Sequence, residues 1–236
     1  ELTYERRPIE RGYANRTLYI HLGTGEITSK PVTQKMKDLF TGGRGFAMWL
    51  LWNAVADGTA WDDPANELVL AGGPIGGITG YPGSGKMTAV TISPLTHSVI
   101  DSNGGGYFGP YLKFAGWDAL EIQGKAEKDV IIFIDGDNGR VTVEEAPLEP
   151  VNTHLVARMI TEIYGQDDRQ RRGISVVSAG QAAEHIPMCG LNISYWDARR
   201  NEVRIKQAAR GGAGTVLRNK KIKAIVETHE TPRVDL

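Results

Sequence analysis

The stretch SNGGGYFGPYLKFAGWDALEIQGKA, Ser102 to Ala126, sets three consecutive glycines directly before a compact aromatic and apolar segment. Glycine is used where the chain takes positive φ or lets another group touch its main chain, and a run of glycines is entropically costly unless something is gained. The run therefore marks a contact surface. Its continuation DALEIQG, Asp118 to Gly124, reads as a strand.

Outward from this stretch, strands outnumber helices. RTLYIHL (Arg16 to Leu22), a turn at Gly23 to Gly25, and EITSKPV form a β-hairpin, its first arm alternating apolar and polar. Further strands are ELVLA (Glu67 to Ala71), KMTAVTIS (Lys86 to Ser93), DVIIFID (Asp129 to Asp135), RVTVEEA (Arg140 to Ala146), GISVVSAG (Gly173 to Gly180) and KIKAIVE (Lys221 to Glu227). All are rich in strand-forming residues and bounded by turn formers. DVIIFID and RVTVEEA make a second hairpin through Gly136 to Gly139. Helices are expected at RGFAMWLLWNAVAD (Arg44 to Asp57) and NTHLVARMITEIYG (Asn152 to Gly165), the latter with an Asn N-cap and a closing glycine. Short strands with few helices, and no strict βα alternation, place the fold in the α+β class.

A chain of 236 residues, 41% of them hydrophobic, can bury a sizeable core as one large domain or two small ones. Its 27 basic and 28 acidic residues leave a formal charge of −1, so no global field favours nucleic acid or an anionic membrane. The single cysteine, Cys189, excludes an intrachain disulfide framework and cannot alone hold zinc or an iron-sulfur cluster. A reducing, cytoplasmic setting is expected. The longest apolar stretch, Phe46 to Ala56, is short of the roughly 20 residues that span a bilayer, and no signal-peptide pattern opens the chain.

The 29 glycines are concentrated. They collect in TGGRGF (Thr41 to Phe46), AGGPIGGITGYPGSGK (Ala71 to Lys86), SNGGGYFG (Ser102 to Gly109) and ARGGAGTVLRNKK (Ala209 to Lys221), beside Arg44, Lys86, Lys206 and Arg210. Main-chain N–H groups in glycine turns form anion nests, and adjacent cations add charge-assisted hydrogen bonds. Phosphate binding follows. The ligand is not a nucleoside triphosphate on the usual loop. GYPGSGKM places Met87 where a magnesium-binding hydroxyl is required, and TAVTIS continues as a strand where that loop launches a helix. Neither GRGFAM nor GAGTVL completes a dinucleotide fingerprint.

Four segments in register carry a more specific likeness. GGRGFAMWLL, LAGGPIGGITGYPGSGKMTAVTISPLTHSVIDSNGGGYFGPYLKFAGWDALEIQGKAEK, VSAGQAAEHI and ARGGAGTVLRNKKIKAIVE resemble, in order and spacing, the N-terminal domain of tungsten-containing aldehyde ferredoxin oxidoreductases. The likeness runs from Tyr13 to Glu227. It implies an N-terminal extension over 1–12, a cofactor-cradling domain over 13–227, and a tail or linker over 228–236. It also implies a β-rich fold of two antiparallel sheets in a pseudo-duplicated arrangement with a few helices. On this likeness the domain is the base for a tungsten bis-pyranopterin (tungstopterin) whose phosphates are bridged by magnesium. An iron-sulfur cluster would lie nearby, ligated elsewhere.

Carried over residue by residue, the magnesium-ligating Asn falls on Asn103, followed by Gly104, Gly105 and Gly106 approaching the cofactor. Two family arginines fall on Lys86 and Lys206, which keep the charge and lose the bidentate fork. The second magnesium ligand, a main-chain carbonyl, falls on Gln207, beside Ala208, Arg210, Gly211 and Gly212. Arg44 and Gly45 complete the expected cofactor-binding set. The segment SYWDARRNEVRIKQ before the last motif is insertion-like.

No catalytic residue is expected in this chain. In the family, the cluster cysteines, pterin-binding motifs and acid/base residues lie in later domains, and the sequence ends at Leu236 where those would begin. The resemblance implies an enzyme that oxidises aldehydes to carboxylic acids with ferredoxin-type acceptors, completed by a larger cysteine-rich chain or by further domains. Ferredoxin or an iron-sulfur subunit would be its electron-transfer partner. The alternatives are the tungsten subunit of a benzoyl-CoA reductase-like reductive complex, or a noncatalytic pterin carrier. Simpler roles are expected elsewhere: Cys189 as a small buried hydrophobe, Trp49 and Trp52 as core at helical spacing, and RQRRG (Arg169 to Gly173) as a solvated loop. His97, His154 and His185 fall in surface or loop positions, and Asp118 and Glu121 read as ordinary strand-face charges.

Overall fold

The computed structural model describes residues 1–78, 80–146 and 152–229. Strands β1 (Leu2–Thr3), β2 (Arg16–His21) and β3 (Glu26–Pro31) precede helices α1 (Gln34–Leu39) and α2 (Arg44–Ala54). Then come β4 (Leu68–Gly72), β5 (Met87–Ile92), β6 (Val99–Gly104), helix α3 (Phe108–Phe114) and β7 (Ala119–Gln123). The second half runs β8 (Val130–Asp135), β9 (Arg140–Glu145), α4 (Thr153–Tyr164), α5 (Asp168–Arg172) and β10 (Ile174–Ser178). It closes with a 3-10 turn at Gln181–Glu184, β11 (Leu191–Asp197), β12 (Glu202–Ala208), α6 (Ala213–Asn219) and β13 (Ile222–Thr228).

The two halves repeat one topology. The six-stranded sheet has the order β3-β2-β7-β4-β5-β6, and the seven-stranded sheet β1-β9-β8-β13-β10-β11-β12. Apart from β1 these orders coincide: a hairpin, two helices, a three-strand meander, a short helix, and a last strand inserted beside the first. The sheets are mixed rather than wholly antiparallel, because that last strand runs parallel to the hairpin's first strand in both halves, β7 to β2 and β13 to β8. The short helices α3 and α6 carry the chain back between the sheets, so the strand that follows starts from the same end as the strand it joins.

Alternation along the strands sorts side chains into layers. Ala224 and Val226 join Val156 and Ile160 of α4 on one face of β13, while Ile225 enters the central core on the other. Ala47 and Leu51 of α2 likewise cover Val69, Ala71 and Val90 on the outer face of the six-stranded sheet. Between the sheets, Phe108 and Leu112 of α3 and Val216 and Leu217 of α6 pack with Leu18, Leu120, Ile132 and Val177. Helix α4 is capped as its sequence dictates, with Asn152 Oδ1 accepting the Leu155 N–H at 3.0 Å. Trp49 packs against Phe40 at a ring separation of 6.1 Å. Trp52 departs from the core expectation: it is 81% exposed, because α2 turns that face away from the sheet. Cys189 is partly buried against the central core. No helix among the described residues is long and apolar enough to cross a membrane.

Asp118 does more than its strand position suggests. Its carboxylate accepts the main-chain N–H groups of Ala14 and Asn15 at 2.9 and 2.8 Å, stapling the entry to β2 onto the sheet. Burial raises its pKa, and those two donors oppose the rise. Glu121 is held by the Thr17 hydroxyl and by Lys30 Nζ.

Glu67 is fully buried, and its carboxylate makes no hydrogen bond among the described residues. Desolvation, reinforced by Glu121 and opposed by Lys30 and Lys220, pushes its pKa up to about 8 from 4.5. Between those values the folded state keeps a proton that the unfolded chain has lost, so stability falls as pH rises through this window. Buried Glu227 acts in the same direction. Denaturant titrations from about pH 5 to about pH 8 are expected to show this decline, with a visibly shallower slope in Glu67→Gln. Equal slopes in both proteins would refute a buried, protonated Glu67.

Candidate cofactor-binding site

Three of the four glycine segments meet at one end of the six-stranded sheet, and the fourth passes from there along β6. Gly72, Met87 and Gly104 are register mates at the ends of β4, β5 and β6. The entry to α2 docks on the end of β4, where the Gly43 N–H donates to Gly72 O at 2.8 Å. Gly85 lies against Gly106, where a β-carbon would stand 2.5 Å from the Gly106 carbonyl oxygen. The segment after β12 then runs along β6. The Arg210 N–H donates to Ser102 Oγ at 2.9 Å, and Ser93 Oγ donates to Gly211 O at 2.7 Å.

Within this junction Asn103 and Gln207 hold equivalent positions, each the penultimate residue of the meander's last strand in its own half. The strand ends touch, since a β-carbon on Gly104 would stand 3.3 Å from Ala208 Cβ. Both Asn103 and Gln207 are exposed. Asn103 Oδ1 accepts from Thr88 Oγ1 at 2.9 Å, and its amide donates to Asp101 Oδ2 at 3.2 Å. Gln207 donates to Asn192 Oδ1 at 3.3 Å.

The expected cations divide into two kinds. Arg44 is engaged within the fold, in an ion pair with Asp101 at 2.8 Å. Lys86, Lys206 and Arg210 are exposed and form no ion pair among the described residues. They flank the Gly104–Ala208 contact, Lys86 at the start of β5 and Lys206 and Arg210 on either side of the end of β12. Each is therefore a surface charge with no ion-pair partner among the described residues.

The glycines also divide. At Gly104 a β-carbon would overlap Ile193 Cδ1, and at Gly106 it would press on Ile193 Cγ2 at 3.1 Å. Gly45 faces Phe40 Cβ at 2.6 Å, and Gly211 faces Ile100 Cγ1 at 2.6 Å. Gly212 abuts Pro187 and Pro94. The opening question thus has a largely internal answer: at Gly104 and Gly106 what approaches the main chain is Ile193 of the other half of the molecule. Gly105 is the exception, with nothing within 4 Å of its β-carbon position.

One contributor was not anticipated. Lys113 of α3 is buried, and its Nζ donates to Gly73 O and, at 3.2 Å, to Gly76 O, pinning the loop that leads to Lys86. Desolvation lowers its pKa to about 8, with Asp118 opposing. Its signal in the sequence is a lone charge inside the apolar run FGPYLKFAGW. Among the described residues no group of three or more His, Cys, Asp or Glu is placed to hold a metal ion. A cation here would therefore draw on amide and carbonyl oxygens.

A family model described as "Aldehyde ferredoxin oxidoreductase, N-terminal domain" matches residues 17–228. The tungsten-containing aldehyde ferredoxin oxidoreductase of Pyrococcus horikoshii is 34% identical over 218 residues, covering 91% of this chain and 33% of that protein. The aliphatic sulfonate oxidoreductase WOR-like subunit of Pyrococcus furiosus is 27% identical over 225 residues, covering 93% of this chain and 35% of that protein. Among solved structures, the active-site complex of benzoyl coenzyme A reductase with 1,5-dienoyl-CoA matches with a TM-score of 0.79 at 26% identity, over 92% of this chain and 31% of that one. The chain spans about one third of the length of the curated relatives it matches.

Proposed function

Because the chain belongs to the aldehyde ferredoxin oxidoreductase family of tungsten oxidoreductases, with that family's N-terminal domain matched over residues 17–228, we propose that it cradles a tungsten bis-pyranopterin by the cofactor's phosphates. The observation that carries this reading is the position of Lys86, Lys206 and Arg210, exposed and without an ion pair among the described residues, beside the strand ends that meet at Gly104 and Ala208. Two of the three are lysines, so their phosphate contacts are point-like rather than forked. Asn103 Oδ1 spends one lone pair on Thr88 and keeps another, a hard donor suited to magnesium. Gln207 would supply a main-chain carbonyl on the facing strand end, where a change of side chain is tolerated. Lys113 keeps the loop before Lys86 in place.

When bound, the tungsten centre supplies the two-electron redox chemistry. This chain's residues position it and neutralise its phosphates. The remainder of the enzyme, corresponding to the other two thirds of the relatives' length, would hold the iron-sulfur cluster and the acid/base residues. The favoured reaction is oxidation of an aldehyde to a carboxylic acid with a ferredoxin-type acceptor. A reductive role is the second reading, favoured by the fold match to the benzoyl coenzyme A reductase complex.

The test is native purification, with tungsten, magnesium and iron measured on the same gel-filtration peak used to identify copurifying chains. Tungsten and magnesium eluting together with this chain are expected. A well-folded protein carrying neither, with every copurifying chain also free of tungsten, would overturn the cradle.

A further inference from the structure

The β11–β12 hairpin, insertion-like in sequence, builds one wall of a cleft of about 740 Å³ that also faces Gly77, Ser84, Gly85 and helix α3. Its lining includes Tyr107, Tyr111, Phe114 and Tyr195 together with Arg199 and Arg200 from the hairpin turn. The tyrosines form a stepped aromatic surface. Tyr107 stacks on Tyr111 at 5.6 Å and meets Tyr195 edge-on at 5.7 Å, yet remains 45% exposed. Arg200 is paired with Asp197 at 2.8 Å. Arg199 is exposed and makes no ion pair among the described residues. At the rim, Lys206 Nζ stands 6.0 Å from the Tyr195 ring centroid, so the cleft opens toward the cation set described above.

Aromatic walls alone would suit an aliphatic or aromatic ligand, and arginine alone an inorganic anion. Together they suit a planar heterocycle that carries phosphate: π faces stack on any base, and a guanidinium donates paired hydrogen bonds to phosphate oxygens. The volume lies within the roughly 300–1,000 Å³ of small-molecule sites. We propose that this cleft binds a nucleotide, its base against Tyr107 and Tyr195 and its phosphates toward Arg199. The cleft adjoins the phosphate cradle at Gly85, and its binding of a free nucleotide does not rest on that cradle. The nucleotide has two possible sources: a free ligand, or a nucleotide esterified to the pterin.

The experiment is calorimetric titration of the protein, purified with whatever chains accompany it, using ADP, adenosine and pyrophosphate as separate probes. In parallel, nucleotides released on denaturation are quantified by mass spectrometry. ADP is expected to bind at least about ten-fold more tightly than adenosine or pyrophosphate, with Tyr107→Ala and Arg199→Ala each weakening it by about ten-fold. Both side chains are exposed, and circular dichroism checks that the variants are folded. Titratable ADP identifies a free ligand. A stoichiometric nucleotide released on denaturation, lost in both variants and blocking titration, identifies a cofactor-borne one. No nucleotide by either route, or ADP affinity unchanged in both folded variants, overturns the proposal whether or not tungsten is present.

Discussion

Gly212→Ala is expected to lower the unfolding free energy by at least about 3 kcal/mol, a large fraction of the roughly 5–15 kcal/mol that holds a domain together. Gly212 sits at the entry to α6 with φ of 76°, a conformation L side chains rarely adopt. A β-carbon there would overlap the Pro187 carbonyl oxygen and lie 2.7 Å from Pro94 Cγ. A main-chain oxygen and a proline ring yield little. The same substitution at Gly105, with nothing within 4 Å, is expected to change stability by less than about 0.5 kcal/mol. Urea denaturation of the two variants checks the contrast. Equal losses would contradict the division between glycines that admit the molecule itself and those, such as Gly105, that face open space.

The second large effect falls on cofactor content. Replacing Lys86 and Lys206 together by alanine is expected to reduce tungsten per chain at least about ten-fold, since charge-assisted hydrogen bonds to phosphate contribute about 1.5–3 kcal/mol each. Thermal stability should stay within about 2 °C, because both side chains are exposed and unpaired among the described residues. Elemental analysis beside a thermal melt separates the two quantities. Full tungsten occupancy in the double variant would show that these lysines do not hold the cofactor.

Much of the sheet architecture is legible in the sequence, and the omissions have distinct physical causes. The hairpins β2–β3 and β8–β9 were found from alternation and turn residues, and α4 from its cap and its apolar period. Helices α3 and α6 were missed because each has six buried residues out of seven. A helix wrapped on all sides by two sheets has no polar stripe for periodicity to detect. Strand β6, VIDSNG, has a polar end and depends on β5 for its pairing. Strand β12, EVRIKQA, alternates from Glu202 to Lys206 and is legible in principle, but lies within the insertion-like segment. At the site, cations and glycines stood out in the sequence. What did not was the reason for each glycine, which depends on contacts such as Gly104 with Ile193, far apart in the chain.

A homodimer that binds at its axis must offer two identical residues to its ligand. Here the repeated halves bring Asn103 and Gln207 to the same station on two strands within one polypeptide. An ion shared between them would sit on an approximate dyad, yet each side is encoded separately and can be altered alone. One half is thereby free to offer a side-chain oxygen and the other a main-chain oxygen. A ligand composed of two like parts would meet a host with two related but unequal hands.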